Sequence, residues 1–206
     1  MSTCVGTRVE IALAVDYLKK NDSVMNGIIQ KCGKLNLTSS GDHFAALASS
    51  IVYQQLSGKA AETIWNRLVC EVGGRLTPET VLKLTDVQFR KAGISPQKKS
   101  YLLDLSRKFK SGEIDMRSLL AKGDEEIIET LTTVRGIGRW TAEMFLIFSL
   151  KRMDVLPVDD LGIKKAIMVN YKLRKLPSPE RMRKIARNWG SYRTVAVLYL
   201  WKSLAV

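Results

Sequence analysis

Residues 125–146 read EEIIETLTTVRGIGRWTAEMFL, and this stretch decides the fold. Apolar residues at helical spacing precede the turn Gly136-Ile137-Gly138, and a second apolar helix begins after it. Two glycines let the backbone turn sharply, and the free amide N–H groups at the start of the second helix favour an anion. The stretch predicts two helices joined by a tight turn. A phosphate is one candidate ligand of that turn, and a plain helical corner is the alternative.

The rest of the chain shows the same helical periodicity and no alternating strand pattern, which predicts about ten short helices. Proline follows a capping residue at Thr77-Pro78-Glu79 and at Ser178-Pro179-Glu180, so a helix is expected to start at each place. Ser57 is a third candidate cap, for a helix over 58–72. The sequence therefore predicts a compact all-α protein.

The charge of the chain points to a polyanionic partner. Its 206 residues include 33 Lys and Arg against 20 Asp and Glu, a net charge of +13. Residues 151–206 hold thirteen basic and four acidic residues, so most of the surplus lies there. Nucleic acid fits this balance, although anionic membrane surfaces and solvated helix faces fit it too. No apolar run is long enough to span a membrane, and the N-terminus lacks the pattern of a targeting signal.

The cysteines and the histidine argue against disulfides and metal chemistry. Cys4, Cys32 and Cys70 are isolated and odd in number, which indicates a reducing compartment. His43 is the single histidine of the chain, so ligands for a zinc site are lacking.

Four segments in order along the chain resemble the helix-hairpin-helix DNA glycosylase superfamily, in particular its 3-methyladenine DNA glycosylases of the AlkA type in the short form found in yeasts. They are SIVYQQLSGKAA (50–61), LTTVRGIGRWTAEMFLIF (131–148), DVLPVDDLGIKKA (154–166) and NWGSYRTVAVLYLW (188–201). The resemblance implies a two-lobed all-α fold with the active-site cleft between the lobes, and one catalytic unit over 1–206. Residues 42–158 are expected to form the central lobe, with the hairpin at about 125–150, and 1–41 plus 159–206 the second lobe.

By this resemblance Asp160 is the catalytic acid, twenty residues after Trp140, while Asp159 is expected to cap the following helix. A carboxylate can stabilise the positive charge that develops on deoxyribose as a base leaves. Members that also cleave the strand carry a lysine where this chain has Trp140, so no Schiff base can form there. Residues 71–206 contain no cysteine, which excludes the iron–sulfur branch.

The resemblance also assigns a wedge and a base pocket. Leu56 corresponds to the residue that fills the gap left by a flipped base, although it could equally be the last core residue of its helix. Trp140 and Trp201 match pocket tryptophans that would stack on a cationic alkylated purine, and Tyr53 is expected beside them. Met144 replaces a family aromatic, and Ser57 stands where some relatives have histidine. Both changes weaken a possible contact to the DNA.

The hairpin is expected to grip the DNA backbone through its glycine turn. Family members often have proline where this chain has Arg135, whose side chain would contact a phosphate or stay in solvent. The residues predicted to contact DNA are Gln55, Ser57, Gly58, Lys59, Arg135, Gly136, Ile137, Gly138 and Arg139. The backbone carbonyls of Thr132, Val134 and Gly136 match positions that often hold Na⁺ or K⁺ in the family.

The function implied is a monofunctional glycosylase of base excision repair that releases alkylated purines of the 3-methyladenine class from duplex DNA and leaves an abasic site. No cofactor is required, the partner is double-stranded DNA, and a monomer is expected. The enzyme would be nuclear in a eukaryote and cytoplasmic in a bacterium. The alternative is a weakly catalytic or non-catalytic binder of abasic or damaged DNA on the same fold. A helical scaffold unrelated to nucleic acid would leave the charge and the ordered motifs unexplained.

Overall fold

The computed structural model describes residues 8–35 and 41–205. Within these ranges it contains thirteen α-helices, one 3-10 helix and no strand, which confirms the all-α prediction. None of the described helices combines the length and the apolar composition needed to cross a membrane. The α-helices are α1 (Arg8–Asn21), α2 (Ser23–Cys32), α3 (His43–Tyr53), α4 (Gly58–Glu71), α5 (Pro78–Lys83), α6 (Asp86–Ala92), α7 (Pro96–Ser111), α8 (Met116–Leu120), α9 (Asp124–Thr132), α10 (Arg139–Phe148), α11 (Leu161–Asn170), α12 (Pro179–Ile185) and α13 (Arg193–Ser203).

Local capping explains where several helices begin. The side chains of Thr77 and Ser178 accept hydrogen bonds from the third backbone N–H of α5 and α12, and a proline follows each cap as predicted. Thr85 and Asp115 cap α6 and α8 in the same way. The α-helices outnumber the ten or so that were expected. Ser57 occupies the cap position of α4 without a side-chain hydrogen bond.

The described residues form two compact units. The first, residues 41–145, contains α3 to α9 and most of α10, and is called the hairpin unit. Its core includes fully buried leucine and isoleucine side chains on α3, α7 and α9, at Leu47, Leu102 and Ile127 among others. Helix α7 packs against both α3 and α5.

The second unit comprises residues 8–35 and 146–205 and is called the aspartate unit. Helix α13 is its central element, since Thr194 to Leu200 are all buried and the helix packs against α1, α2 and α11. A buried hydrogen-bond network joins three distant segments: the Oδ2 atom of Asp22 accepts bonds from the hydroxyl of Tyr171 (2.6 Å) and from the indole of Trp189 (3.0 Å). The same carboxylate caps α2 through its other oxygen.

The chain passes between the units inside α10, between residues 145 and 146, rather than after residue 158 as expected from the sequence. The reason is that residues 152–155 are bound to the start of α13. The backbone N–H of Thr194 donates to the carbonyl of Met153 (2.9 Å), and the N–H of Val155 donates to the Thr194 hydroxyl (3.0 Å). An ion pair between Arg193 and Asp154 adds to this attachment.

Candidate functional site

Asp160 is held rigidly at the start of α11 in the aspartate unit. Its Oδ1 atom accepts hydrogen bonds from the backbone N–H of Ile163 (2.7 Å) and from the indole Nε1–H of Trp201 (3.0 Å). Asp160 is 8% exposed. Two N–H donors and the start of a helix all stabilise a negative oxygen at this place. A carboxylate fixed in this way can stabilise positive charge that forms next to it, with no reorganisation during the reaction.

Asp159 does not cap the helix, contrary to the prediction from the sequence. Helix α11 starts at Leu161, so the cap position is that of Asp160. Asp159 is instead exposed, with its Oδ1 atom 3.7 Å from the Nζ atom of Lys164. An exposed ion pair of this kind contributes little to stability, so loss of the Asp159 carboxylate should affect the fold little.

Trp201 carries an aromatic surface next to this carboxylate. Its ring stacks on that of Phe148, with the ring centroids 5.9 Å apart and the planes at 19°. Phe148 is nevertheless 45% exposed, and Leu161, the first residue of α11, is exposed as well. A flat, solvent-accessible aromatic pair is suited to stacking on a nucleobase. Sequence reasoning identified Trp201 and missed Phe148, since the run FLIF is typical of a buried helix.

Gly162 leaves the space in which Asp160 and Trp201 meet. A Cβ atom at this position would lie 3.0 Å from Oδ1 of Asp160 and 3.3 Å from both Cδ1 and Nε1 of Trp201. These distances are shorter than ordinary van der Waals contacts, so a side chain here would displace the carboxylate and the indole by a few tenths of an ångström. Gly162 is therefore a positioning residue for the pair.

The hairpin turn lies in the hairpin unit between α9 and α10, which confirms the predicted helix–turn–helix. The N–H of Ile137 donates to the carbonyl of Val134 (3.1 Å), and the side chain of Ile137 is buried, so this residue can offer a ligand only its backbone. Gly136 has φ of +82°, and a Cβ atom there would overlap the ring of Tyr101. Glycine is thus required at 136 by both conformation and space. A Cβ atom at Gly138 would meet nothing within 4 Å.

Arg139, one of the predicted DNA contacts, is engaged within the protein. Its guanidinium makes two hydrogen bonds to the carboxylate of Glu125 (2.6 and 2.8 Å) and one to Glu143 (3.2 Å). These partners, Glu125 first, raise the pKa of Arg139 above its usual value. The arrangement joins the start of α10 to the first turn of α9. The charge of Arg139 is therefore already compensated by Glu125 and Glu143. A contact between Arg139 and DNA remains a prediction.

The predicted cation ligands are the carbonyls of Thr132, Val134 and Gly136. The Val134 oxygen accepts the Ile137 N–H, and the Gly136 oxygen accepts the side-chain amide of Gln54 at 2.7 Å. Each carbonyl oxygen has a second lone pair, so neutral oxygen donors remain for a monovalent cation. The donor set fits Na⁺ or K⁺, and the site stays a prediction.

Leu56 lies on a turn between α3 and α4 rather than at the end of α3. It is 39% exposed, so the structure does not support the alternative of a core residue. Gln55 beside it has φ of +57°, a conformation that non-glycine residues rarely adopt. Such local strain persists only where surrounding contacts hold it. The turn therefore presents an apolar side chain to solvent, as a wedge requires.

Two side chains that sequence reasoning missed hold this turn. The Nζ atom of Lys98 donates to the carbonyls of Val52 (2.7 Å) and Gln54 (2.8 Å) at the end of α3, and burial lowers the pKa of Lys98. Gln54 in turn donates its amide to the carbonyl of Gly136. The wedge turn and the hairpin turn are thereby connected. The separation of 82 residues between Gln54 and Gly136 explains why no local pattern revealed the contact.

The other predicted site residues of the hairpin unit are exposed or partly exposed to solvent. Trp140 is 49% exposed near the start of α10, and Met144 lies one turn further on, partly exposed. Tyr53 ends α3 with its ring exposed. Ser57, Gly58 and Lys59 are exposed at the start of α4.

The structure thus brings the predicted residues together in two groups. In the aspartate unit, Asp160 and Trp201 form one hydrogen-bonded pair. In the hairpin unit, the turn with Leu56 and the turn with Gly136 are joined through Gln54.

Comparisons with known proteins show the family of the chain. Residues 48–191, more than half of the chain, match the family model described as HhH-GPD superfamily base excision DNA repair protein. The chain is 37% identical over 163 residues to DNA-3-methyladenine glycosylase 1 of Schizosaccharomyces pombe, covering 78% of this chain and 72% of that protein.

Two solved structures have the same fold. One is a DNA-3-methyladenine glycosidase from Bacillus halodurans, 38% identical, with a TM-score of 0.84 over 92% of this chain and 88% of that one. The other is the Schizosaccharomyces pombe 3-methyladenine DNA glycosylase in complex with abasic DNA, 33% identical, with a TM-score of 0.82 over 94% and 97%.

Proposed function

The chain belongs to the HhH-GPD superfamily of base excision DNA repair proteins, and from this we propose that it is a monofunctional alkylpurine DNA glycosylase. The substrate is duplex DNA that contains an alkylated purine of the 3-methyladenine class. The products are the free base and an abasic site. The observation that carries the proposal is the fixed carboxylate of Asp160, held by Trp201 and the start of α11.

The chemistry required is hydrolysis of an N-glycosidic bond. As the bond to the base breaks, positive charge develops on the deoxyribose ring, and the Asp160 carboxylate stabilises it. The same carboxylate can orient the attacking water. A 3- or 7-alkylated purine already carries positive charge, so it leaves as a neutral base without gaining a proton. The attacking water forms the new bond to C1′ and gives up one proton, which passes to the Asp160 carboxylate or to solvent. Normal purines lack this charge and are poorer leaving groups.

The base must first leave the helical stack, at a cost of a few kcal/mol that is smallest for damaged sites. Leu56 fills the space left in the duplex. The exposed ring of Phe148, stacked on Trp201, offers a surface for the extruded base, and aromatic rings favour a cationic purine over a neutral one. Within the hairpin unit, Trp140, Tyr53 and Met144 are proposed as base-contacting residues.

The hairpin holds the DNA backbone through the N–H groups around Gly136 and Gly138, where the start of α10 favours a phosphate. The residues Gln55, Ser57, Gly58 and Lys59 are proposed to contact the same DNA. The hairpin carbonyls would hold a Na⁺ or K⁺ ion, which supplies positive charge beside the phosphate. No other cofactor is needed for the reaction, and the protein acts as a monomer.

The reaction stops at the abasic site, because Trp140 stands where a strand-cleaving enzyme has a lysine nucleophile. We propose that the protein acts where the genomic DNA lies, in the nucleus of a eukaryote or the cytoplasm of a bacterium.

The test is incubation of the wild-type protein with duplexes that contain 3-methyladenine, 7-methylguanine or 1,N6-ethenoadenine, followed by measurement of free base and of strand breaks with and without alkali. Release of base with breaks only after alkali supports the proposal. Tight binding to abasic DNA with no base released from any of the three would show the alternative, a damage-binding module.

A further inference from the structure

A surface groove of about 300 Å³ lies in the hairpin unit, beside the hairpin turn, and of its lining residues only Arg135 has been considered above as a contact to DNA. One wall is formed by residues of α7 that recur at helical spacing and so share one face of the helix. The other wall is the side chain of Arg135. The lining residues are Pro96, Lys99, Ser100, Leu103, Asp104, Arg107 and Arg135.

Helix α7, which forms one wall of the groove, contacts the hairpin turn at two places. The Oδ2 atom of Asp104 accepts a hydrogen bond from the backbone N–H of Arg135 (2.9 Å). One turn earlier on α7, the ring of Tyr101 packs against Gly136. The position of Arg135 relative to α7 is therefore fixed by two contacts, and the groove adjoins the residue that precedes the hairpin turn.

The side chains that line the groove carry a net positive charge, and part of this charge is not paired within the described residues. Arg107 and Arg135 are exposed, and neither makes an ion pair with any residue in 8–35 or 41–205. Lys99 is paired with Asp86 at 2.5 Å, so its charge is largely compensated. Asp104 is the carboxylate of the lining, and its Oδ2 atom faces the Arg135 N–H. Two guanidinium groups thus remain for an anion.

We propose that this groove binds one phosphodiester group of the DNA strand that the hairpin turn holds, through the guanidinium groups of Arg107 and Arg135. This inference rests on the proposed function and adds α7 to the DNA interface. Guanidinium suits the task, since its planar donors can bind phosphate oxygens in pairs. Asp104 limits the affinity, because its charge repels the phosphate.

The first test compares the double variant Arg107→Gln/Arg135→Gln with the wild type for binding to a duplex with an abasic-site analogue, over a range of salt concentrations. The double variant is expected to bind about tenfold more weakly and to reduce the slope of log K against log salt by about one, the value for one lost phosphate contact. The control is Arg90→Gln/Arg117→Gln, which removes the same charge from exposed positions of the same unit outside the groove. This control is expected to keep the wild-type slope.

The second test identifies the phosphate. Neutral methylphosphonates are placed one at a time along the strand, and one linkage is expected to weaken wild-type binding while leaving the double variant unaffected. Asp104→Asn keeps an oxygen that can accept the Arg135 N–H and removes the negative charge, so it is expected to tighten binding by a few fold.

The outcomes separate this inference from the proposed function. A wild-type protein that neither releases base nor prefers abasic DNA contradicts the proposed function itself. If the wild type does both while the groove variant keeps its affinity and slope, or matches the control, the groove does not bind phosphate. The same conclusion follows if no methylphosphonate position distinguishes the double variant from the wild type.

Discussion

The indole of Trp201 donates a hydrogen bond of 3.0 Å to the Oδ1 atom of Asp160, the same oxygen that accepts the backbone N–H of Ile163. The proposed catalytic carboxylate and a proposed pocket ring therefore act as one structural pair. A change that shifts either side chain is expected to affect base release even where it leaves the fold and the DNA contacts intact.

Gly162→Ala tests this pair without removing either member. The new Cβ atom would lie 3.0 Å from the carboxylate oxygen, so we expect Asp160 and Trp201 to separate. Single-turnover base release is expected to slow by about a few fold, because the carboxylate must shift by a few tenths of an ångström and catalysis depends on its exact position. Binding to abasic DNA, measured by fluorescence anisotropy, should change little.

The matched control is Gly27→Ala, in the interior of α2 in the same unit, where a Cβ atom would meet nothing within 4 Å. Alanine is favoured over glycine inside a helix by roughly 0.5–1 kcal/mol, so this variant should be slightly more stable with unchanged activity. Equal activity of both variants would show that Gly162 does not position the pair.

Leu56→Ala tests the wedge. An exposed leucine that becomes buried in a duplex contributes about 1.5–3 kcal/mol, so its loss should weaken binding to abasic DNA by roughly tenfold or more. Binding to undamaged DNA depends on phosphate contacts and salt, and it should remain nearly unchanged. Leu120→Ala removes another exposed leucine from the hairpin unit and serves as control. Equal losses of Leu56→Ala on abasic and undamaged DNA would contradict the wedge assignment.

His43 gives the protein a predictable loss of stability in mild acid. Burial lowers the pKa of His43 from the usual 6.5, while the charge of Asp42 opposes this effect. The unfolded chain therefore binds the proton more readily than the folded protein. The free energy of unfolding should fall as the pH drops through 6.5 towards the lower pKa of the folded state.

Urea denaturation at pH 7.5 and at pH 5.5 measures this effect. His43 is the single histidine of the chain, so His43→Gln should remove most of the dependence in this interval, above the range where carboxylates titrate. A parallel fall in the wild type and the variant would assign the dependence to other groups.

Local signals in the sequence were sufficient to predict an all-α fold, several helix starts and the hairpin. Thr77-Pro78 and Ser178-Pro179 mark helix starts because a cap and a proline act within one turn, and glycine at 136 is required by the backbone itself. Local signals did not determine the residue at which α11 begins. Either of two adjacent acids can cap a helix, and the cap proved to be Asp160.

Features built from distant contacts could not be predicted. Lys98 binds carbonyls 44 and 46 residues away, and Phe148 meets Trp201 across more than fifty positions. Phe148 lies in an apolar run that fits a buried helix equally well, so its exposure is visible only in the folded protein.

The proposed role of Asp160 can be examined with a matched pair of variants. Asn is about as good a helix cap as Asp, so Asp160→Asn should fold and keep the cap of α11 while it loses the negative charge. Asp159→Asn removes the adjacent exposed carboxylate, so it makes the same chemical change as Asp160→Asn one position earlier in the chain. Thermal denaturation and binding to abasic DNA establish that both variants are folded.

The decisive measurement is the single-turnover rate of 3-methyladenine release from duplex DNA by the wild type, Asp160→Asn and Asp159→Asn. We expect Asp160→Asn to be slower by about 100-fold or more, the usual effect of removing one electrostatic group at a reacting centre, and Asp159→Asn to match the wild type. Release by a folded Asp160→Asn variant at the wild-type rate would contradict the central role of this carboxylate.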